Sequence, residues 1–438
     1  MADPALLSGW GRTAPSRASV VHPVSTDEVA SVVASAGPRG VLARGAGRSY
    51  GDAAQNGGGT VVSTRDLTAL GPLEPDGTVT CGAGATLADV LAHVVPRGRM
   101  LPVLPGTSRV TVGGAVAFDV HGKNHPLRGS FARHVADVEL VDGTGRTRVL
   151  TAGNPEFDAT AGGAGLTGVI TAVRLQTAPV ATAWLTLDRT RYDDLDDLLA
   201  ALDDGRGREH RAAWIDTTSR RLRGVLDQAD HALLGAVPAG HEPLDRRPRR
   251  GLPTPAWTPA RTLTPRRIAA FNAARFHGSP RRSRGQVVPL DAGHFPLDRV
   301  SGWNRLYGAA GFVQYQCATP TASGCVAVLE LLRRRRAPAF LVVLKRLGPG
   351  ASGHLSFPVE GWTLAVDLPA DPALHAVLDD CDELVAAAAG RVYLAKDARL
   401  RPDLVAGMYP RLDEWRAVRA DLDPRGVFAS DLARRLAL

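Results

Sequence analysis

Apolar residues along the first 180 positions switch between helical and alternating spacing. Residues 24–36, VSTDEVASVVASA, place apolar side chains on one helical face behind Ser25 or Thr26, with acidic residues in the first turn. That pattern predicts a capped helix. VLAR (41–44), TVVST (60–64) and TVTCGAG (78–84) read as strands, and TLADVLAHVV (86–95) as a helix stopped by Pro96. VADVELVDGTGRTRVLTA (135–152) alternates on both sides of Asp142-Gly143, a hairpin signal. NPEFDATAG (154–162) predicts a short helix, and GVITAVRLQT (168–177) a strand. This first region is α+β and ends near Pro179.

A second region opens with a strand and an acidic helix in WLTLDRTRYDDLDDLLAALDD (184–204). Residues 238–285 change character, with Pro and Arg dominating and two basic runs, RRPRR (246–250) and RRSR (281–284); a long mobile loop is expected there. Strand GFVQYQCAT (311–319), helix CVAVLELLRRRR (325–336) and strands AFLVVLKRL (339–347) and GWTLAVDLP (361–369) follow. The last two alternate as antiparallel strands with one wet face do. A helix over 375–389 precedes RVYLAKDARL. No internal repeat interrupts this order.

At 438 residues the chain is long enough for two domains. No apolar run reaches the roughly 20 residues that span a bilayer, and the N-terminal MADPALLSGWGRTAPS lacks the apolar core of a secretory signal. Cys81, Cys317, Cys325 and Cys381 are scattered without a C-x-x-C pair, so no metal centre or disulfide framework is indicated and a reduced cytoplasmic compartment is expected. The net charge of +8 comes from arginine, because only Lys123, Lys345 and Lys396 are lysines. A lysine retained among so many arginines points to a need for a compact ammonium. The arginine runs lack interleaved aromatics, which argues against a nucleic-acid site. A weak attraction to anionic lipid fits them, and with it a place peripheral to the inner membrane face.

The most informative stretch is ARGAGRSYGDA (43–53), where Gly45, Gly47 and Gly51 follow a strand end. Such a loop can turn several N–H groups toward one anion. No helix pattern opens after it, so it is neither a P-loop nor a dinucleotide turn. GGAGLTG (162–168) matches G-x-G-x-x-G, with Asp188 twenty residues beyond, but its third glycine leads into a strand; the dinucleotide reading is rejected in favour of close backbone approach to a flat ligand. A second glycine segment, LPGTSRVTVGGAVAFDVHGKNH (104–125), holds Gly106, Gly113 and Gly114, then His121 and Lys123 two apart. A cation beside such a loop would suit a ligand that gains negative charge.

WGRTAPS, RGAGRSYGDAAQNGGG, VLPGTSRVTVGGAVAFDVHGKNH, GGAGLTGVI, WNRLYGAAGFVQYQ, LSFPVEGWTLAVDLP, RVYLAKDAR, MYPRLDEW and DPRGVFASDLARRL occur in this order. Together they resemble the flavin subunits of the decaprenylphosphoryl-ribose 2-epimerases of actinobacterial cell-wall arabinan synthesis, within the vanillyl-alcohol-oxidase family of FAD proteins. The resemblance implies an α+β, two-domain flavoprotein. Residues 1–180 and 391–438 would form a split FAD-binding domain, and 181–390 a substrate domain of antiparallel sheet and flanking helices. It implies FAD contacts at Arg44, Gly45, Gly47, Arg48, Ser49, Tyr50, Gly51, Gly106, Thr111, Gly113, Gly114, Asp119, His121, Ile170 and Tyr393. Tyr50 stands where relatives carry a flavin-linking histidine, so the FAD is expected to be non-covalent. The substrate pocket would hold Lys123, Trp214, Tyr307, Gln314, Gln316, Lys345, Thr363, Asp367 and Lys396, with Lys396, His121, Tyr50 and Lys123 as the catalytic set. The implied reaction is oxidation of the 2-hydroxyl of a ribofuranosyl phosphate, with or without a polyprenyl link. A separate short-chain NAD(P)H reductase would complete the epimerisation. Ala365 replaces the family cysteine that nitro-aromatic inhibitors modify, Thr363 replaces a frequent asparagine, and the Arg/Pro-rich segment is shorter. An alditol or aldonolactone oxidase, or an oxidase of a soluble ribosyl metabolite or nucleoside, is the alternative.

Overall fold

The computed structural model describes residues 3–205, 207–246, 251–255, 262–337 and 339–438. A mixed four-stranded sheet comes first. Ser16–Val21, Thr60–Ser63 and Val41–Arg44 run parallel, and Asp3–Leu7 pairs antiparallel with the first of them. An antiparallel five-stranded sheet follows, in the order Leu70–Leu73, Thr78–Gly82, Val169–Gln176, Val135–Val141, Thr147–Thr151. Its hairpin turns where expected: Asp142 Oδ1 accepts from the N–H of Thr144 and Arg146, and Gly145 adopts φ 84°. The first helix, Thr26–Ala34, is capped by the Ser25 hydroxyl. Leu87–Val94 carries a full capping box between Thr86 and Asp89.

The third sheet has eight strands, with antiparallel neighbours throughout: Arg282–Pro289, Trp184–Tyr192, Gly224–His231, His210–Ile215, Val342–Leu347, Gly361–Pro369, Phe312–Thr319 and Arg391–Val392. One face, carrying Ala213, Leu344, Leu364, Val366 and Tyr315, is buried in the core that helices Leu195–Asp203, Ala322–Arg334 and Leu374–Ala387 complete. The opposite face is turned toward the glycine-rich loops. The C-terminal segment then returns to the first sheet. Val41 N donates to Val427 O, and Asp431 accepts from Ser16 Oγ and Gly57 N.

Two expectations need correction. The segment 238–285 is not one long loop. Its described part holds helix Pro265–Gly278, capped by Thr264 and burying Ile268, Asn272 and Phe276, and strand Arg282–Pro289 starts within it. Proline in the first turn of a helix is a start signal, and arginine is a good helix former, so the composition concealed a helix. Residues 247–250 and 256–261 lie outside the described residues; Arg246 pairs with Asp291. The second glycine segment also contains a short helix, Val112–Ala117, capped by Thr111. Its two glycines hid the helical pattern.

Candidate functional site

A cavity of about 310 Å³ opens between the glycine-rich loops and the wet face of the eight-stranded sheet, in the size range of small-molecule sites. Its floor requires glycine. A Cβ on Gly45 would collide with Thr111 Oγ1, and one on Gly113 would stand 2.9 Å from Ala83 Cβ. Gly47 adopts φ 60°, a conformation that favours glycine. The N–H groups of Ala46, Gly47, Arg48 and Ser49 have no protein acceptor among the described residues. The buried Arg48 Nε is also without a partner. Free donors around a Cβ-free cradle fit a diphosphate.

Gly45, Gly47, Arg48, Ser49, Tyr50, Gly106, Thr111, Gly113, Gly114, His121, Ile170 and Tyr393 all line the cavity. Three other expected cofactor residues stand behind the wall. Arg44 donates to the Ser8 and Ala54 carbonyls. Gly51 packs its Cα directly against the Asp397 carbonyl. Asp119, at φ 38°, accepts from Ala132 N and Ser356 Oγ, and burial raises its carboxyl to about 6.

The sheet face supplies the other wall. Register sets Gln314 opposite Asp367, and Gln316 opposite Ala365, which faces Val343 and then Trp214; Thr363 lies opposite Lys345. Directly opposed residues share a face. Gln314, Gln316, Lys345, Ala365 and Lys396 reach the cavity. Gln316 Nε2 donates to His121 Nε2 at 3.1 Å and to Thr363 Oγ1 at 3.2 Å, and Thr363 in turn donates to the Cys317 carbonyl. Thr363 therefore orients Gln316 from behind. Tyr307 stacks on Phe312 with ring centroids 4.2 Å apart, and Trp214 lies under the Arg275 guanidinium at 4.8 Å. Tyr307, Trp214, Thr363 and Asp367 do not form the cavity surface.

His121 and Lys123 do not act as a pair at this wall. His121 lines the cavity, but burial and the nearby lysines hold its pKa well below the usual histidine value, so the ring is neutral. Lys123 falls in a turn, and its Nζ donates to the Gly293 carbonyl at 2.6 Å, away from the cavity. Two-residue spacing gives a shared face only in a strand, and the chain turns here.

Lys396 carries the most distinctive electrostatics. Its Nζ lies 3.6 Å from the centre of the Tyr50 ring, and among the described residues no hydrogen bond or ion pair holds it. Burial lowers its pKa to about 7, with Lys345 adding to the fall and Asp367 opposing it. Lys345 is lowered to about 8, mainly by burial. Asp367 is raised to about 7 by burial, against the pull of Gln314 and Lys396. A half-charged ammonium with free donors is suited to holding a hydroxyl and following its proton.

Residues not singled out beforehand also shape the cavity. Trp10, under the Arg48 guanidinium at 4.0 Å, lies in the WGRTAPS motif, which was its only signal. Asp298 accepts from Thr107 Oγ1 at 2.6 Å and Ser108 N at 2.8 Å, clamping the second glycine segment to the substrate side. No motif marked it. Among the described residues no cluster could hold a metal ion, and no helix is long and apolar enough to cross a membrane.

Comparison with known proteins agrees with this geometry. The FAD binding domain family matches residues 17–151, and the D-arabinono-1,4-lactone oxidase family matches residues 366–436. The chain is 39% identical to decaprenylphosphoryl-beta-D-ribose oxidase of Mycolicibacterium smegmatis, covering 99% of this chain and 97% of that one. It is 26% identical to L-gulono-1,4-lactone dehydrogenase of Mycobacterium tuberculosis, over 98% and 99% of the two chains. Alditol oxidase of a Streptomyces species is also 26% identical, over 98% of each chain. The cofactor is FAD, and the protein is an oxidoreductase acting on a CH–OH group. On that full-length identity, the chain belongs to the decaprenylphosphoryl-β-D-ribose oxidase family of two-domain, vanillyl-alcohol-oxidase-type flavoproteins.

Proposed function

We propose that this enzyme oxidises the 2-hydroxyl of a polyprenylphosphoryl ribofuranose to a 2-keto sugar, the first half of a ribose-to-arabinose epimerisation. The observation that carries the reading is the partnerless Lys396 ammonium at the cavity wall, beside Gln314 and Gln316. When bound, FAD supplies the two-electron acceptor for the hydride. The Lys396 ammonium donates to the hydroxyl oxygen and stabilises the negative charge that develops there as the carbon is oxidised, the hydroxyl proton being lost to solvent, while Gln314 and Gln316 hold the sugar hydroxyls. Lys345 provides a second cation facing the sugar phosphate. Residues 1–180 and 391–438 act as the FAD domain, with 181–390 as the substrate domain. Tyr50 leaves the FAD non-covalent.

A polyprenyl chain has an apolar exit: Leu252, 79% exposed, pairs with Val300, which lines the cavity. The net charge of +8 suits contact with an anionic lipid surface. The keto product requires a separate NAD(P)H-dependent reductase to reach arabinose. Match of residues 366–436 to the lactone-oxidase family keeps an aldonolactone or alditol substrate as the second reading. Anaerobic flavin bleaching decides: polyprenylphosphoryl ribose should bleach the flavin, while xylitol and L-gulono-1,4-lactone should not. Bleaching by the alditol or the lactone alone would overturn the assignment.

A further inference from the structure

Asp367 and the partly buried Lys396 are opposite charges that form no ion pair with each other among the described residues. Asp367 is fully buried, and its Oδ1 accepts a hydrogen bond from Gln314 Nε2, the residue directly across the strand pair. Among the described residues its Oδ2 and the nearby buried Tyr307 hydroxyl fall short of hydrogen-bond geometry, though Tyr307 still pulls the carboxyl pKa down. The Lys396 ammonium is held over the Tyr50 ring instead of against the carboxylate. Tyr50 in turn packs edge-on against Phe312, with centroids 5.4 Å apart, and Phe312 stacks on Tyr307. The ammonium thus rests on an aromatic cluster and not on the carboxylate.

We infer that Asp367 is a positioning residue rather than a substrate ligand: a counter-charge, fixed by Gln314, that keeps Lys396 charged without occupying its donors. A direct ion pair would consume the N–H groups that must reach the substrate hydroxyl. With no counter-charge, a buried lysine surrendering its proton is the favoured outcome. A carboxylate fixed by Gln314 out of contact with the ammonium meets both demands, because charge attraction in a low-dielectric interior persists beyond contact distance. The other titratable or charged groups around Lys396 are Tyr50 on the glycine loop, Lys345 on strand Val342–Leu347, Tyr307 and His121; Arg48 reaches it through Tyr50. Lys345 repels the ammonium and His121 is neutral, so Asp367 is the one charged group in the set that favours the charged lysine, beside the face of the Tyr50 ring. Direction and cause agree with the geometry: Asp367 raises the Lys396 pKa, and Lys396 lowers that of Asp367.

The inference rests on Lys396 handling the substrate hydroxyl, but its test does not need the substrate. Trace acetylation of the holoenzyme across a pH series, read by peptide mass, titrates each lysine separately, because there are only three. In the unmodified protein Lys396 should label with a midpoint of about 7. Asp367→Asn should lower that midpoint by about one pH unit or more. Asp367→Glu should restore it in part. Gln314→Met, which keeps the carboxylate but removes its donor, should move it in the same direction as Asp367→Asn. The alkaline limb of flavin reduction should move with the label. An ordinary lysine midpoint in the unmodified protein would overturn the inference, as would an unmoved midpoint in either FAD-loaded variant. If neither variant retains FAD, the midpoints of the FAD-free unmodified protein and variants are compared instead, and an unmoved midpoint there overturns the inference equally. Failure of ribose oxidation alone would leave the labelling result intact and would count against the substrate assignment.

Discussion

Replacing Lys396 by Met removes the ammonium from the cavity wall while keeping the length of the side chain. The magnitude follows from what the ammonium contacts. It makes no side-chain hydrogen bond among the described residues, so the structural interactions lost are its position over Tyr50 and its attraction to Asp367. What is lost is a donor aimed at the developing alkoxide in a water-poor site. Removing one such donor costs about 3–4 kcal/mol of transition-state stabilisation, or about two to three orders of magnitude in rate. FAD should stay bound, because its cradle is built from Gly45–Ser49, Gly106 and Gly113–Gly114, none of which touches Lys396. Lys396→Arg should lose nearly as much, since a planar guanidinium cannot reproduce a point ammonium over the ring. The assay is stopped-flow flavin bleaching under anaerobic conditions with polyprenylphosphoryl ribose, on protein whose flavin content has been checked by absorbance. FAD-loaded Lys396→Met bleaching within about tenfold of the unmodified enzyme would refute the reasoning. Loss of the flavin itself would make Lys396 a cofactor anchor.

Three further outcomes follow from the same geometry. Asp367, raised to about 7, binds a proton in the folded state that the unfolded chain has released, so its cost to stability grows as pH rises from about 4 to 7; Lys396, lowered to about 7, costs most below 7 and progressively less toward about 10. Both costs are full near neutrality, and the double variant Asp367→Asn/Lys396→Met should melt higher than the unmodified protein at pH about 7, by a margin on the order of a few kcal/mol that narrows on either side; a margin independent of pH would contradict it. Acid precipitation should release all the FAD, because Tyr50 offers no histidine for attachment, and yellow colour retained in the pellet would point to another link. Ala365 faces the cavity without a thiol, so a nitro-benzothiazinone should form no adduct with this protein but should form one with Ala365→Cys, as read by intact mass.

Most elements were legible because their signals are local. The caps at Ser25 and Thr86, the Asp142-Gly143 turn and the strand after Gly168 each depend on residues a few positions apart. The helix Pro265–Gly278 was not legible, because proline and arginine also mark loops, and only its buried Ile268 and Phe276 distinguish it. In the site, the glycines, Gln314, Gln316, Lys345 and Lys396 were readable as motif members. Their grouping depends on strand register, and no spacing in the chain reveals that Asp367 lies across from Gln314. The expected pairing of His121 with Lys123 failed for a conformational reason, since a turn at Lys123 sends its side chain to Gly293. Asp298 was invisible because its role is a contact across about 190 residues of chain.

Closure of the cofactor cradle by the last fifth of the chain governs how the protein is made. Tyr50 N donates to Ala395 O, Gly51 lies against Asp397, and Val41 is bridged to Phe428. While the ribosome is still adding those residues, the glycine loop has its contacts to Trp10 and Phe312 but lacks these later ones. Flavin capture is therefore expected only after synthesis is finished. A premature stop codon late in the reading frame would leave most of the sheets encoded and yet yield a colourless protein.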